Sequence, residues 1–250
     1  MTTMIGGATV YGSPHGTGPP VGFLMLETRF PRLRGDVGNH ATWDFPALYA
    51  VVAGAGPKDV IGVEPETELV EAFLASGRAL VDEGAVLVGT SCGYLSAIQS
   101  LLAHELAVPV VSSALIQVPL VASMVGRRSA IGILTQRPHL NAAHFTAAGW
   151  DPNDFDVRIG GFRENSDFPK VFIDGDSHAD PDRLEEEICL AVDDLITDHP
   201  DIRAVVFECT NFAPFSAAVR QHCGLPVFDY VTAVTTAYNA IVGPTFPRRL

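Results

Sequence analysis

Short unbroken apolar runs alternate along this chain with stretches whose apolar residues recur every three or four positions. Val21–Leu26 is the first such run and predicts a strand after Gly18-Pro19-Pro20. Arg29–Thr42, rich in Arg, Gly and Asp, predicts a long loop of the kind that often binds ligands. Val51–Val52 and Val60–Val63 predict short strand pieces. Glu64-Pro65-Glu66 predicts a helix start, with Pro at the first helical position and acids in the first turn, where the helix dipole favours them. Leu69, Val70, Phe73, Leu74 and Leu80 give that helix one apolar face. Ala85–Gly89 predicts a strand ending in Thr90-Ser91-Cys92-Gly93-Tyr94, followed by a helix through Leu95, Ile98, Leu102 and Leu106 and a strand at Pro109-Val110-Val111.

The second half repeats the order. Ala130–Leu134 and Val157–Ile159 predict strands, and Asp180-Pro181-Asp182 opens a helix. Ala204–Phe207 predicts a strand ending in Glu208-Cys209-Thr210-Asn211, then a helix with Pro214 near its start and a strand at Pro226-Val227-Phe228. Cys92 precedes Pro109 by 17 residues and Cys209 precedes Pro226 by 17; the two cysteines lie 117 apart and Pro65 and Pro181 lie 116 apart. This register predicts an α/β protein of two pseudo-symmetric lobes. Each lobe is a mostly parallel sheet flanked by helices, with the active site in the cleft between them. Residues 21–115 plus 230–250 are expected to form the first lobe, 116–229 the second, and 1–20 an N-terminal extension.

Composition narrows the function classes. The 250 residues are 47% apolar and 18% charged, which fits a protein with a substantial core rather than a disordered chain. Runs such as Val108–Leu115 fall far short of the roughly 20 apolar residues of a membrane span, so no membrane partner is expected. A net charge of −13, from 16 basic and 29 acidic side chains, argues against nucleic acid. The four cysteines, Cys92, Cys189, Cys209 and Cys223, are too few for a disulfide scaffold and lack zinc-site spacing. Met1–Pro20 has neither the basic nor the apolar segment of a signal peptide, so a reduced, cytoplasmic protein is expected.

Cys92 and Cys209 carry the candidate chemistry. Each ends a strand and begins a helix, where ligands collect in such sheets and where unpaired N–H groups are expected to lower a thiol pKa. Two thiols flanking one cleft suit proton removal on one face of a carbon and proton delivery on the other. The carbon must be acidified by a neighbouring carbonyl or carboxylate, and no redox cofactor is needed. Cys189 and Cys223 have no polar setting and are read as small buried hydrophobes.

On these residues the sequence resembles the aspartate/glutamate racemase superfamily. The resemblance runs from about Val21 to the C-terminus and rests on Cys92 in Gly89-Thr90-Ser91-Cys92-Gly93 and Cys209 in Glu208-Cys209-Thr210-Asn211. It implies two pseudo-symmetric α/β lobes, one catalytic cysteine in each, and no cofactor. Thr210 matches the superfamily's motif. Gly93-Tyr94 and Asn211 depart from it, as does Leu26-Glu27-Thr28-Arg29 after the first strand. The implied activity is a racemase or epimerase acting beside a carboxylate, an isomerase that takes a small carboxylate-bearing substrate. Two other activities of the superfamily stay open. A maleate-type cis–trans isomerase would form a covalent cysteine adduct. An arylmalonate-type decarboxylase keeps only the second-lobe cysteine, so Cys92 argues against it. A non-catalytic carboxylate-binding protein is the reading from another class.

Around the cysteines, Thr28, Asn39, Ser91, Gly93, Tyr94, Thr135, Thr210 and Asn211 are expected to contact substrate. Arg29, Arg32 and Arg34 fit either carboxylate capture or a solvated loop. Asp174, Asp176, His178, Asp180 and Glu185 mimic calcium-loop spacing, but Ala179 replaces the required Gly, and no metal is expected. Homo-oligomerisation is plausible.

Overall fold

Apolar strands without alternation need cover on both faces, and this chain supplies it twice. The computed structural model describes residues 3–5, 8–10, 18–61, 65–126 and 129–243. A short antiparallel pair, β1 (Thr3–Ile5) and β2 (Ala8–Val10), comes first; the remainder of residues 1–17 lies outside the described residues. The first parallel sheet contains β3 (Val21–Met25), β4 (Ala47–Val51), β5 (Leu87–Thr90) and β6 (Val110–Val111), in the order β4-β3-β5-β6. The second contains β7 (Ala130–Leu134), β8 (Val157–Gly160), β9 (Ile202–Phe207) and β10 (Val227–Phe228), in the order β8-β7-β9-β10. The two orders are identical once equivalent strands are aligned.

Helices cover each face. On the first sheet, α1 (Thr67–Asp82) and α2 (Gln99–Glu105) pack on Leu24 and Val88 through Phe73, Leu74 and Leu102. On the second, α5 (Asp167–Phe172), α6 (Pro181–Asp198) and α7 (Ser216–Cys223) bury Phe168, Ile188 and Val219 against Leu134 and Val205. Its opposite face takes α3 (Val118–Val125) and α4 (Ala142–Ala147). The last helix, α8 (Tyr230–Val242), returns to the first sheet, where Tyr230 and Val234 pack on Val21, Phe23 and Leu87. The Tyr230 hydroxyl accepts from Thr90 N–H at 2.6 Å and donates to the Val111 carbonyl at 2.8 Å, tying α8 to β5 and β6.

Some elements differ from the sequence pattern. The expected strand at Val51–Val52 begins earlier, at Ala47, because β4 is an edge strand whose half-exposed residues show no apolar run. Val60 and Ile61 are not a strand; Pro57–Asp59 forms a 3₁₀ turn there, and Gly62 and Val63 lie outside the described residues. The helices expected directly after Cys92 and Cys209 are each preceded by a six-residue 3₁₀ segment. The calcium-like loop is a helix start: the Asp180 carboxylate accepts from the Asp182 and Arg183 N–H groups and caps α6. Among the described residues no three His, Cys, Asp or Glu side chains gather as a metal site, and no helix is long and apolar enough to cross a membrane.

Candidate active site

Each cysteine is the N-cap of a six-residue 3₁₀ segment at the carboxyl end of a strand. Cys92 follows β5 and opens Gly93–Ile98, which runs into α2. Cys209 follows β9 and opens Thr210–Phe215, which runs into α7. The tight turns are matched by i to i+3 bonds, Leu95 N–H to the Cys92 carbonyl at 3.1 Å and Phe212 N–H to the Cys209 carbonyl at 3.2 Å. The two turns are also stitched together, since the Thr210 hydroxyl donates to the Ser91 carbonyl at 2.7 Å. Gly93 packs directly on Glu208, in a space that admits no side chain.

Both cysteines line one cavity of about 20 Å³, together with Leu26, Thr28, Phe30, Ser91, Tyr94 and Gln136, Phe172, Glu208 and Asn211. Pro57 and Ile61 complete its wall. That volume holds about one water.

The Cys209 thiol donates to Asn211 Oδ1 at 3.4 Å while its sulfur accepts from Gln136 Nε2 at 3.0 Å. Asn211 Nδ2 donates to Asp36 Oδ2 at 2.7 Å. Arg32 donates to both Asp36 and Thr28 at 2.7 Å. A continuous polar chain therefore runs from the second-lobe thiol into the first-lobe loop.

The electrostatics reverse one expectation. The backbone N–H groups of Tyr94 and Leu95 do face the Cys92 sulfur, and that of Asn211 faces Cys209. Burial nevertheless pushes the Cys92 thiol up to about 12, with the nearby Glu208 charge adding to the rise. Burial and then Glu208 also raise Cys209, against a lowering contact from Gln136. Glu208 itself is raised by burial to about 8, although the Thr135 hydroxyl donates to its Oε2 at 2.7 Å. The short helical starts do not overcome desolvation.

Of the residues expected to contact substrate, Thr28, Ser91, Tyr94 and Asn211 line the cavity with the two cysteines. Thr135, Thr210, Gly93 and Asn39 do not. Thr135 holds Glu208, Thr210 joins the lobes and Gly93 makes room for Glu208. Asn39 caps the 3₁₀ turn His40–Thr42, accepting from Ala41 N–H at 2.9 Å. Arg34 is spent on the Ala41 carbonyl, whereas Arg29 and Arg32 line a wider neighbouring cavity of about 610 Å³ that shares Leu26 and Thr28 with the first. Sequence reasoning missed Gln136, Asp36 and Glu208 as site residues. Glu208 had a signal, an acidic side chain at the end of the apolar run Ala204–Phe207; Gln136 and Asp36 had none.

No protein-family model matches the chain. It is 27% identical over 232 residues, 90% of its length, to dimethylsulfoniopropionate lyase 3 of Emiliania huxleyi (strain CCMP1516). It is 28% identical over 218 residues, 85% of its length, to dimethylsulfoniopropionate lyase of Durusdinium sp. clade D. The matches span 60% and 72% of those two relatives. Among solved structures, unliganded arylmalonate decarboxylase aligns with a TM-score of 0.59 at 14% identity, covering 92% of this chain and 96% of that one. Allantoin racemase from Klebsiella pneumoniae aligns with a TM-score of 0.57 at 16% identity, covering 92% and 95%. Glutamate racemase from Francisella tularensis subsp. tularensis SCHU S4, in complex with D-glutamate, aligns with a TM-score of 0.53 at 14% identity, covering 92% and 84%. The chain shares the two-lobed α/β fold of these decarboxylase and racemase structures.

Proposed function

We propose that this protein uses a cysteine thiolate to remove the proton beside a carboxylate, and that the proton loss drives β-elimination of a neutral sulfide from a small sulfonio-carboxylate. Dimethylsulfoniopropionate is the candidate substrate. The observation that carries the reading is the placement of Cys92 and Cys209 at equivalent strand ends on one cavity. Racemising glutamate and decarboxylating an arylmalonate both build negative charge on the carbon next to a carboxylate. A chain with that fold and two thiols is suited to the same first step. The lyase relatives support the choice of leaving group.

In this reading one sulfur takes the proton from the carbon next to the carboxylate. The released C–H electron pair becomes the new carbon–carbon double bond. The carbon–sulfur bond breaks, and its electron pair leaves with the sulfide. The products are acrylate, dimethyl sulfide and a protonated cysteine, which returns its proton to solvent. The apolar wall of Leu26, Phe30, Pro57 and Phe172 keeps water from the reacting carbon.

A second reading is inversion at the same carbon, with Cys92 and Cys209 exchanging acid and base roles. The pseudo-symmetric pairing of the thiols favours it, since elimination needs only one. Proton NMR in deuterium oxide separates the two. Elimination gives acrylate and dimethyl sulfide from the sulfonium compound. Inversion gives solvent deuterium at the α-carbon of an amino acid, with no bond lost. If neither signal develops over a panel of both substrate types, proton abstraction beside a carboxylate is wrong for this protein.

A further inference from the structure

The proton transfer proposed above makes no use of Glu208, although this residue lines the same cavity as Cys92 and Cys209. Glu208 is fully buried at the end of β9. Its Oε2 accepts from the Thr135 hydroxyl, but its Oε1 is buried with no donor among the described residues. Gln136 repeats the pattern: its Nε2 is given to the Cys209 sulfur, and its Oε1 is buried with no donor. Two buried acceptor oxygens without a donor, on residues that line one small cavity, are costly unless what enters the cavity offsets them. No Lys or Arg lines the cavity among the described residues, whereas Tyr94 and Phe172 do; the ring of Phe30, also in the wall, already carries the Arg32 guanidinium at 4.7 Å. A carboxylate beside aromatic rings is the chemistry that holds a methylated cation, which has no N–H to donate and binds by charge and by ring faces.

We propose that Glu208 is the subsite for the onium end of the substrate, taking a sulfonium or quaternary ammonium group carried by a short carboxylate. The proposal rests on the function above for the carboxylate end and adds the residue that selects charge. Gly93 is part of the device, because a side chain there would occupy the place of the Glu208 carboxyl. A cation paired with Glu208 also cancels the charge that, after burial, raises both thiols. Binding of the onium group and ionisation of the base are thereby coupled.

The test compares two non-reacting ligands of the same shape. One is trimethylammoniopropionate; the other is its carbon isostere, in which a tert-butyl group replaces the trimethylammonio group. Affinities are measured by calorimetry on the full chain, wild type and Glu208→Gln, at a pH above the Glu208 value of about 8. The wild type is expected to prefer the cation at least about tenfold. Glu208→Gln is expected to bring the two within about twofold by weakening the cation alone.

The wild-type preference is also expected to fade as the pH falls below about 8 and Glu208 takes up its proton, a readout that needs no variant. The other titratable groups facing Glu208 are Cys92, Cys209 and Tyr94, all raised, so they stay neutral through that range. A wild type without preference, a preference that survives in Glu208→Gln, or failure of both ligands to bind overturns the proposal. Dimethyl sulfide release by the wild type is assayed separately. Release without a Glu208-dependent preference sinks this inference and leaves the function standing; a Glu208-dependent preference without release does the reverse.

Discussion

A β-carbon placed on residue 93 would stand 2.0 Å from the main-chain oxygen of Glu208 and 2.3 Å from its Oε1. The first of those atoms is backbone and cannot rotate away, so glycine is required where the two cysteine-bearing turns cross. Gly93→Ala is expected to cost about 1–3 kcal/mol through overpacking. In a chain of this size that lowers Tm by about 2–4 °C per kcal/mol. A thermal melt equal to that of the wild type would show that the turns do not meet this closely.

The same carboxyl group gives stability a pH dependence of known sign. Glu208 has a folded value of about 8 against an ordinary 4.5, so folding favours its protonated form. Its contribution is fully present below the ordinary value and is lost as pH rises through the folded one. Glu208→Gln, which cannot ionise, is expected to gain in Tm relative to the wild type as pH climbs across that window, with little difference at its acid end. A Tm difference independent of pH would mean that Glu208 is not buried as the structure has it.

Thr210 joins the lobes through a single hydroxyl, at 2.7 Å from the Ser91 carbonyl. Thr210→Val keeps the shape and leaves that buried carbonyl unmet, at an expected cost of about 1–3 kcal/mol. Thr210→Ser keeps the donor and is expected to recover most of the loss. Urea unfolding of the three proteins decides this; equal midpoints for Val and Ser variants would contradict the bridging role.

Burial and Glu208 raise both thiols, so the fraction present as thiolate is small at neutral pH. If a thiolate is the base, kcat/KM should rise about tenfold per pH unit from neutral into the alkaline range. A rate that peaks in acid and falls above neutral would rule out a thiolate base.

The two-lobe plan was legible because it is written in spacing. Ala130–Leu134 is a strand with the bounds its apolar run suggests, and Asp180-Pro181 marks the start of α6. Repetition at a fixed separation then tied Cys92 to Cys209. Elements without a pattern left little trace: β4, a half-exposed edge strand, showed only at Val51, and α3 through α5 are short helices with little periodicity. The site was legible where side chains lie next to a cysteine in sequence. It was hidden where the chain folds back, as with Asp36 meeting Asn211 across 175 residues. The thiol pKa was misjudged because helix starts are visible in sequence and desolvation is not.

The central claim is that a cysteine in this cavity removes the proton beside a carboxylate. Its most direct test is dimethyl sulfide and acrylate formation from dimethylsulfoniopropionate by wild type, Cys92→Ser and Cys209→Ser. The wild type is expected to release both products, and at least one variant of unchanged Tm is expected to fall by about 10²–10⁴. Release at wild-type rates by both serine variants would contradict it.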